Sequence, residues 1–212
     1  MTNMTDRIRI LLKAYGEELT LDQITKLFSN RNTNNKEEIH NAISELVSVK
    51  LIIKTTDNTY KTACTERPNF FYVFQSKSFN NEVQNNCLFC PHSPDNRTIR
   101  FWESIGDVKT GDIIFHETNQ QVAAISEAQS EARDADKPYD LDKPEHGRLL
   151  HTLYAHLANS VQPVELKEQL LSAQPEKVAP FNRNGTGNEG YLFYFNQECA
   201  KIIIDGIINN VR

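Results

Sequence analysis

Apolar residues recur at helical spacing through the N-terminal part of the chain. A helix predicted over residues 5–15 has its apolar side chains on one face and ends at Gly16. Thr20 and Gln23 form a capping box that begins a second helix. After a polar loop rich in asparagine, the same periodicity predicts a third helix over residues 36–49.

Two short strands are predicted after the third helix. Residues 51–54 and 59–62 flank an Asp-Asn turn, a pattern typical of a β-hairpin. Three helices followed by a hairpin resemble a winged helix-turn-helix, which predicts a winged-helix domain over residues 1–65. The resemblance implies that the third helix enters the major groove and that the hairpin contacts phosphate. The implied backbone contacts are Lys36, His40, Lys54 and Lys61. A packing or dimerisation domain is the alternative.

The pattern changes after a polar segment that ends at Pro68. Continuous apolar or alternating runs predict strands at residues 70–74, 87–90, 112–116, 121–126, 147–158 and 190–195. Helices are predicted over residues 99–108, 163–174 and 197–208. Residues 130–146 show no periodicity and are predicted to form a long loop. Many strands with a few helices predict an α+β fold with a small mixed β-barrel.

The composition is typical of a soluble globular protein. The chain has 212 residues, of which 39% are hydrophobic and 24% charged, enough to form a core. No segment approaches the roughly 20 apolar residues of a membrane span, and the polar start lacks the apolar segment of a signal peptide. We therefore expect a cytoplasmic protein without a membrane partner. The net charge of -5 disfavours a general nucleic-acid coat protein, but leaves room for a specific site.

The cysteines raise the question of a metal. Cys87 and Cys90 with nearby His92 resemble half of a zinc site, so a zinc-dependent enzyme is one alternative. Cys64 and Cys199 have no partner at metal spacing, and a reducing compartment explains all four thiols. The sequence contains no Ser-His-Asp order, Walker loop or His-Glu-x-x-His motif. We therefore expect binding without catalysis, with no cofactor and no metal.

Three segments of the second part carry a further resemblance. They are Phe70-Phe-Tyr-Val-Phe74, the run Val108-Lys-Thr-Gly-Asp112 that leads into a strand, and Pro180-Phe-Asn-Arg-Asn-Gly185. Together they resemble the PUA-like superfamily of EVE and YTH domains, over residues 69–212. The last segment is similar to the closing segment of EVE-like domains found ahead of McrB-type GTPases or HNH nucleases. The resemblance implies an aromatic cage, a pocket of aromatic side chains that holds one flipped-out modified base.

The resemblance also implies the site residues. Phe89 takes the place of a tryptophan that forms one wall of the cage in YTH domains, and Tyr139 is the only aromatic residue in the loop that supplies the second wall. Further base contacts are implied at Tyr72, Trp102, Ser76, Lys77 and Ser78, and backbone contacts at Arg97, Arg100, Asn182 and Arg183. Burial in the core is the alternative for Tyr72 and Trp102, because both lie among apolar residues.

The predicted function is therefore the binding of methylated double-stranded DNA by base flipping. The protein would be the specificity module of a modification-dependent restriction system, with a nuclease or a GTPase motor domain as partner in cis or in trans. The sequence does not choose between N6-methyladenine and 5-methylcytosine. An RNA-binding protein or a transcription regulator built from the same domains is the alternative.

Overall fold

The N-terminal part of the computed structural model, which describes residues 2–30, 34–92 and 103–210, contains three helices and a small sheet. The helices are α1 (Met4–Tyr15), α2 (Leu21–Phe28) and α3 (Lys36–Ser48), and the strands are β1 (Leu19–Thr20), β2 (Ile52–Lys54) and β3 (Thr59–Thr62). The strands pair antiparallel in the order β1-β3-β2. The predicted helices and hairpin are confirmed.

Local sequence signals determine where these elements begin and end. Gly16 ends α1 with a left-handed backbone (φ 75°), which glycine adopts without strain. The predicted capping box is complete, because the Thr20 hydroxyl accepts from the Gln23 N–H and the Gln23 side chain accepts from the Thr20 N–H. Asn58 at φ 57° provides the turn between β2 and β3.

The rest of the chain forms a seven-stranded sheet that curls into a half-barrel. Its strands are β4 (Phe70–Phe74), β5 (Cys87–Pro91), β6 (Ile113–Thr118), β7 (Gln121–Ala128), β8 (Arg133–Asp136), β9 (His146–His156) and β10 (Leu192–Phe195). The order is β10-β4-β6-β7-β9-β5, and β8 pairs with β9 beside β7. β4 and β6 are parallel, whereas the other pairs are antiparallel. The predicted α+β class is confirmed.

The described residues of this part include the helices α4 (Phe79–Gln84), α5 (Lys167–Ala173) and α6 (Gln197–Asn210). The helix predicted over residues 163–174 begins as a 3₁₀ turn at Pro163–Leu166 before it becomes α5. A second 3₁₀ turn covers Ser104–Asp107. The prediction of a continuous loop over residues 130–146 is wrong, because β8 pairs with β9 through backbone hydrogen bonds that need no apolar side chains.

One apolar cluster connects the N-terminal part to the sheet. It includes Leu12 of α1, Phe115 of β6 and Ile203 of α6, all fully buried. The Glu127 carboxylate of β7 also accepts from Arg9 and Lys13 of α1, at 2.7 Å each. α1 therefore contacts the sheet directly, while the division into two domains at residues 65–69 stays a prediction. Within the described ranges, no helix is long and apolar enough to span a membrane.

Candidate functional site

A buried carboxylate lies between α4 and β5. Glu82 is completely inaccessible to solvent. One of its oxygens accepts hydrogen bonds from the hydroxyls of Tyr191 (2.7 Å) and Tyr139 (3.2 Å) and from the N–H of Phe89 (3.1 Å). The other oxygen accepts from the amide of Gln75 and the hydroxyl of Ser78. This set of donors compensates for the water that burial removes from the carboxylate.

Burial sets the ionisation of the groups around Glu82. It raises the pKa of Glu82, although the donors from Tyr191 and Gln75 act in the opposite direction. Burial and the nearby carboxylate also raise the pKa of Tyr139 and that of Tyr191. Both tyrosines therefore keep their hydroxyl protons and donate hydrogen bonds to Glu82.

The hydrogen bonds continue from Gln75 into the sheet. Its carbonyl oxygen lies 2.7 Å from Nδ1 of His116, and Nε2 of His116 lies 2.7 Å from the hydroxyl of Ser126. Burial lowers the pKa of His116 well below its usual value, so the ring is neutral. Because the Gln75 oxygen can only accept, His116 carries its proton on Nδ1 and accepts from Ser126 at Nε2. A chain of hydrogen bonds thus connects Glu82 through Gln75 and His116 to Ser126.

Phe89 and Tyr139, which both donate hydrogen bonds to Glu82, form an aromatic pair. Their ring centroids are 6.4 Å apart and their planes meet at 80°, an edge-to-face contact. Phe89 is 3% exposed and Tyr139 is 9% exposed. The ammonium of Lys137 lies 4.9 Å from the centre of the Tyr139 ring. The structure thus brings together the two predicted cage walls, in an arrangement where each ring fills the space beside the other.

Two elements hold the aromatic pair in position. Phe89 lies in β5 opposite Leu149 of β9, which joins the same apolar cluster. Tyr139 lies in the loop between β8 and β9, which is closed at its base by an ion pair between Lys137 and Glu145 (2.7 Å) and by a bond from the Lys137 N–H to the Glu145 carbonyl oxygen (2.8 Å). Asp140 follows Tyr139 with φ 53°, which turns the chain sharply. Phe89 is thus fixed in a strand, whereas Tyr139 lies on a connecting loop.

Tyr72 lies in the core rather than beside the aromatic pair. It is fully buried, and its hydroxyl donates to Glu117 at 2.6 Å. Its ring contacts those of Phe181 and Phe195, at centroid distances of 5.1 Å each. The expectation that Tyr72 faces a base is therefore corrected, because its strand turns that side chain into the main apolar cluster.

Among the described residues of the other predicted contacts, Ser78 alone bonds to Glu82. Ser76 and Lys77 are exposed after β4, and Ser78 donates to Glu82. The side chain of Asn182 bonds within its own loop, to Thr186 and Asn184, and Arg183 is exposed. Trp102, Arg97 and Arg100 lie outside the described residues.

The exposed face of α3 carries charges of both signs. Lys36 and His40 are exposed on this helix, and so are the acidic residues Glu37, Glu38 and Glu45. Lys54 is exposed on β2, whereas Lys61 on β3 forms an ion pair with Glu18 at 3.3 Å. A duplex on this face would meet a mixed surface rather than a strongly basic one.

The residues of the zinc alternative are not brought together. Cys87 and Cys90 lie on opposite faces of β5, in different apolar clusters, because side chains alternate along a strand. Burial raises the pKa of each thiol to about 12. His92 is exposed, with Nε2 3.3 Å from Asp134. In the parts of the chain that can be described, no three His, Cys, Asp or Glu side chains form a group that could hold a metal ion.

The polar half of the site is absent from the sequence-based prediction. Glu82, Gln75, His116 and Tyr191 are separated along the chain, and no local pattern connects them. α4 is only six residues long, too short for an apolar periodicity to reveal it or its buried acid. A glutamate in an asparagine-rich segment instead indicates solvent exposure.

No protein-family model and no curated protein matches the chain. What the protein binds must therefore follow from the chemistry of the site itself.

Proposed function

We propose that the protein binds a methylated base of double-stranded DNA, flipped out of the helix, between Phe89 and Tyr139. The observation that carries this proposal is the contact of two aromatic rings from distant segments beside the buried Glu82, to which both residues also donate hydrogen bonds. Stacking of a base on an aromatic ring contributes about 1–3 kcal/mol to the binding free energy. A carboxylate accepts hydrogen bonds from the amino group at the edge of a base.

Movement of Tyr139 would open the site. Its loop is a connection between strands, and its hydrogen bond to Glu82 is the longest of the three on that oxygen, at 3.2 Å. When the hydroxyl leaves, the Glu82 oxygen can accept from the exocyclic amino group of the base. N6-methyladenine and 5-methylcytosine both keep an N–H on their exocyclic nitrogen. Stacking and this hydrogen bond would offset the few kcal/mol that base flipping costs.

The fold supports a two-domain assignment of this kind. The element order α1-β1-α2-α3-β2-β3, with sheet order β1-β3-β2, is that expected of a winged helix. The curled mixed sheet is compatible with a PUA-like domain of the EVE or YTH type. In the proposed complex, Lys36, His40 and Lys54 contact phosphates of the duplex. Lys61 joins them only by leaving Glu18.

In this proposal the protein is the specificity module of a modification-dependent restriction system in the cytoplasm. It selects the modified site, and a nuclease or a GTPase motor domain acts there, in cis or in trans. The protein itself then needs affinity and selectivity without a catalytic group. A neutral His116, and a Glu82 that accepts hydrogen bonds on both oxygens, are consistent with this separation of roles.

The first test is a binding titration of the full chain at one salt concentration. Matched duplexes are unmodified, carry N6-methyladenine or carry 5-methylcytosine, and a methylated RNA is included. We expect at least tenfold tighter binding of one modified duplex, about 1.4 kcal/mol. Equal affinity for the three duplexes would contradict the proposal, and preference for the RNA would favour the RNA-binding alternative.

Paired variants separate binding from folding. Phe89→Leu removes one aromatic face and should weaken binding of the preferred duplex by about 1–3 kcal/mol, with little change for unmodified DNA. Phe181→Leu is the matched control, because Phe181 is also 3% exposed but contacts Tyr72 in the core. Equal losses of binding in both variants would assign Phe89 a structural role only.

A further inference from the structure

An exposed apolar stripe follows α3. Val49, at the end of α3, Leu51, in the turn that follows, and Ile53, in β2, are 57%, 48% and 46% exposed. We call these three residues the β2 stripe. In the described part of the chain β2 pairs with β3 alone, so its other edge is open. Two exposed lysines, Lys50 and Lys54, accompany the β2 stripe.

A second exposed apolar side chain has the opposite surroundings. Leu141 is 80% exposed, the highest value among the exposed large hydrophobic residues described. Its neighbours in sequence are Asp140 and Asp142, both exposed. We call Asp140, Leu141 and Asp142 the loop tip, since they lie in the loop between β8 and β9. Asp140 forms an ion pair with Lys137 at 3.3 Å.

We propose that the loop tip of one copy of the chain docks on the β2 stripe of a second copy. Leu141 would be buried against Val49, Leu51 and Ile53, which removes apolar surface of both copies from water. Asp142 would lie beside Lys50, so that the apolar contact is flanked by opposite charges. Each feature alone is small. The loop tip has aspartates beside its leucine and the β2 stripe has lysines beside its apolar residues, so the two can form both apolar and charged contacts.

Charge makes a second copy a selective occupant. The chain carries a net charge of -5, so two copies repel each other unless their contact joins locally opposite charges. The β2 stripe and the loop tip provide this complementarity. The opposite charges attract the two copies and determine their relative orientation. The patches are small, so association is weak and depends on concentration and salt.

The contact is heterologous, because each copy supplies one feature to its neighbour. Two copies related by a two-fold axis can form both contacts at once, whereas other geometries give closed rings or open chains of copies. In either case the measured mass rises with concentration. The inference does not depend on base binding at Phe89 and Tyr139.

Sedimentation equilibrium of the full chain over a wide concentration range tests the proposal. We expect the mean mass to rise above that of one chain as concentration increases, and to rise less at high salt. One constant mass, that of a single chain, at every concentration would overturn the proposal. Leu141→Ser and Leu51→Ser should each return the protein to the single-chain mass. Val164→Ser is the control, because Val164 is 44% exposed in a 3₁₀ turn and should leave association unchanged.

Charge reversal tests the pairing of the two features. Lys50→Glu and Asp142→Lys should each weaken association by about tenfold, because each places like charges across the contact. A mixture of the two variants should associate again, since Lys50 of one variant then meets Asp142 of the other. Failure of the mixture to associate would overturn the assigned pairing. Lys50 is chosen over Lys54 so that the proposed DNA contacts keep their side chains.

Discussion

Gly147 allows the close approach of two strands beside the Phe89 ring. A Cβ at this position would lie 2.8 Å from Cζ of Phe89 and 2.8 Å from Cα of Pro91, and closer still to the Cys90 carbonyl oxygen. Backbone atoms of a paired strand cannot move away cheaply, so Gly147→Ala should lower the free energy of unfolding by about 1–3 kcal/mol. Chemical denaturation measures this loss. Gly106→Ala is the control, because its Cβ meets only the end of the flexible Arg148 side chain; equal losses would contradict the explanation.

Glu82 should make stability fall as the pH rises. Burial raises its pKa in the folded protein above the unfolded value. The stability that this group contributes is therefore present below the unfolded pKa and is lost as the pH rises through the folded pKa. Glu82→Gln removes the titration, and a protonated glutamate resembles glutamine in its hydrogen bonding. We expect the variant to gain stability relative to the wild type between acid and neutral pH.

Denaturation curves of both proteins across this pH range measure the effect. If the free energies of unfolding of Glu82→Gln and the wild type differ by the same amount at every pH, the pKa of Glu82 is not raised. Because the variant keeps the side-chain volume, cavity formation does not enter the comparison.

The ion pairs between α1 and β7 predict the opposite pH dependence. The Glu127 side chain is 8% exposed, and Arg9 and Lys13 are 24% and 12% exposed. Burial acts to raise the pKa of Glu127, but its bonds to Arg9 and Lys13 prevail and lower it. The stability that ionised Glu127 contributes is therefore present above its pKa in the unfolded chain. It is lost as the pH falls through its pKa in the folded protein. Glu127→Gln should cost about 1.5–3 kcal/mol at neutral pH, and less in acid.

An exposed ion pair provides the comparison for Glu127. Glu131 lies 3.2 Å from Lys109, but the two side chains are 63% and 59% exposed. Glu131→Gln should change the free energy of unfolding by less than about 1 kcal/mol at any pH. Similar costs for the two variants in urea denaturation would mean that α1 is not attached to the sheet through Glu127.

Elements with a local signal could be predicted from the sequence, and elements without one could not. Gly16 and the Thr20 capping box determine helix ends through neighbouring backbone groups, so their positions follow from sequence. β8 consists of Arg133-Asp-Ala-Asp136 and forms only because β9 offers backbone partners. The same holds for the site: the resemblance indicated Phe89 and Tyr139, whereas the burial of Glu82 depends on contacts with distant residues.

At the scale of the whole molecule, the shared core predicts that the two parts of the chain unfold together. Leu12 of α1 is fully buried in the apolar cluster that includes Phe115 of the large sheet and Ile203 of α6. Leu12→Ala should therefore lower the free energy of unfolding by about 2–5 kcal/mol. Because the cluster is continuous, the loss should affect residues 69–212 as much as the N-terminal helices.

Trp102 makes this test possible, because it is the only tryptophan and lies in the second part of the chain. Its fluorescence reports on that part, whereas far-ultraviolet circular dichroism also reports the N-terminal helices. In Leu12→Ala both transitions should shift to lower denaturant by the same amount and coincide. Leu51→Ala, at a side chain 48% exposed, should shift neither. A fluorescence transition that stays at its wild-type midpoint in Leu12→Ala would show that the N-terminal part unfolds independently, and that the shared cluster does not couple it to the sheet.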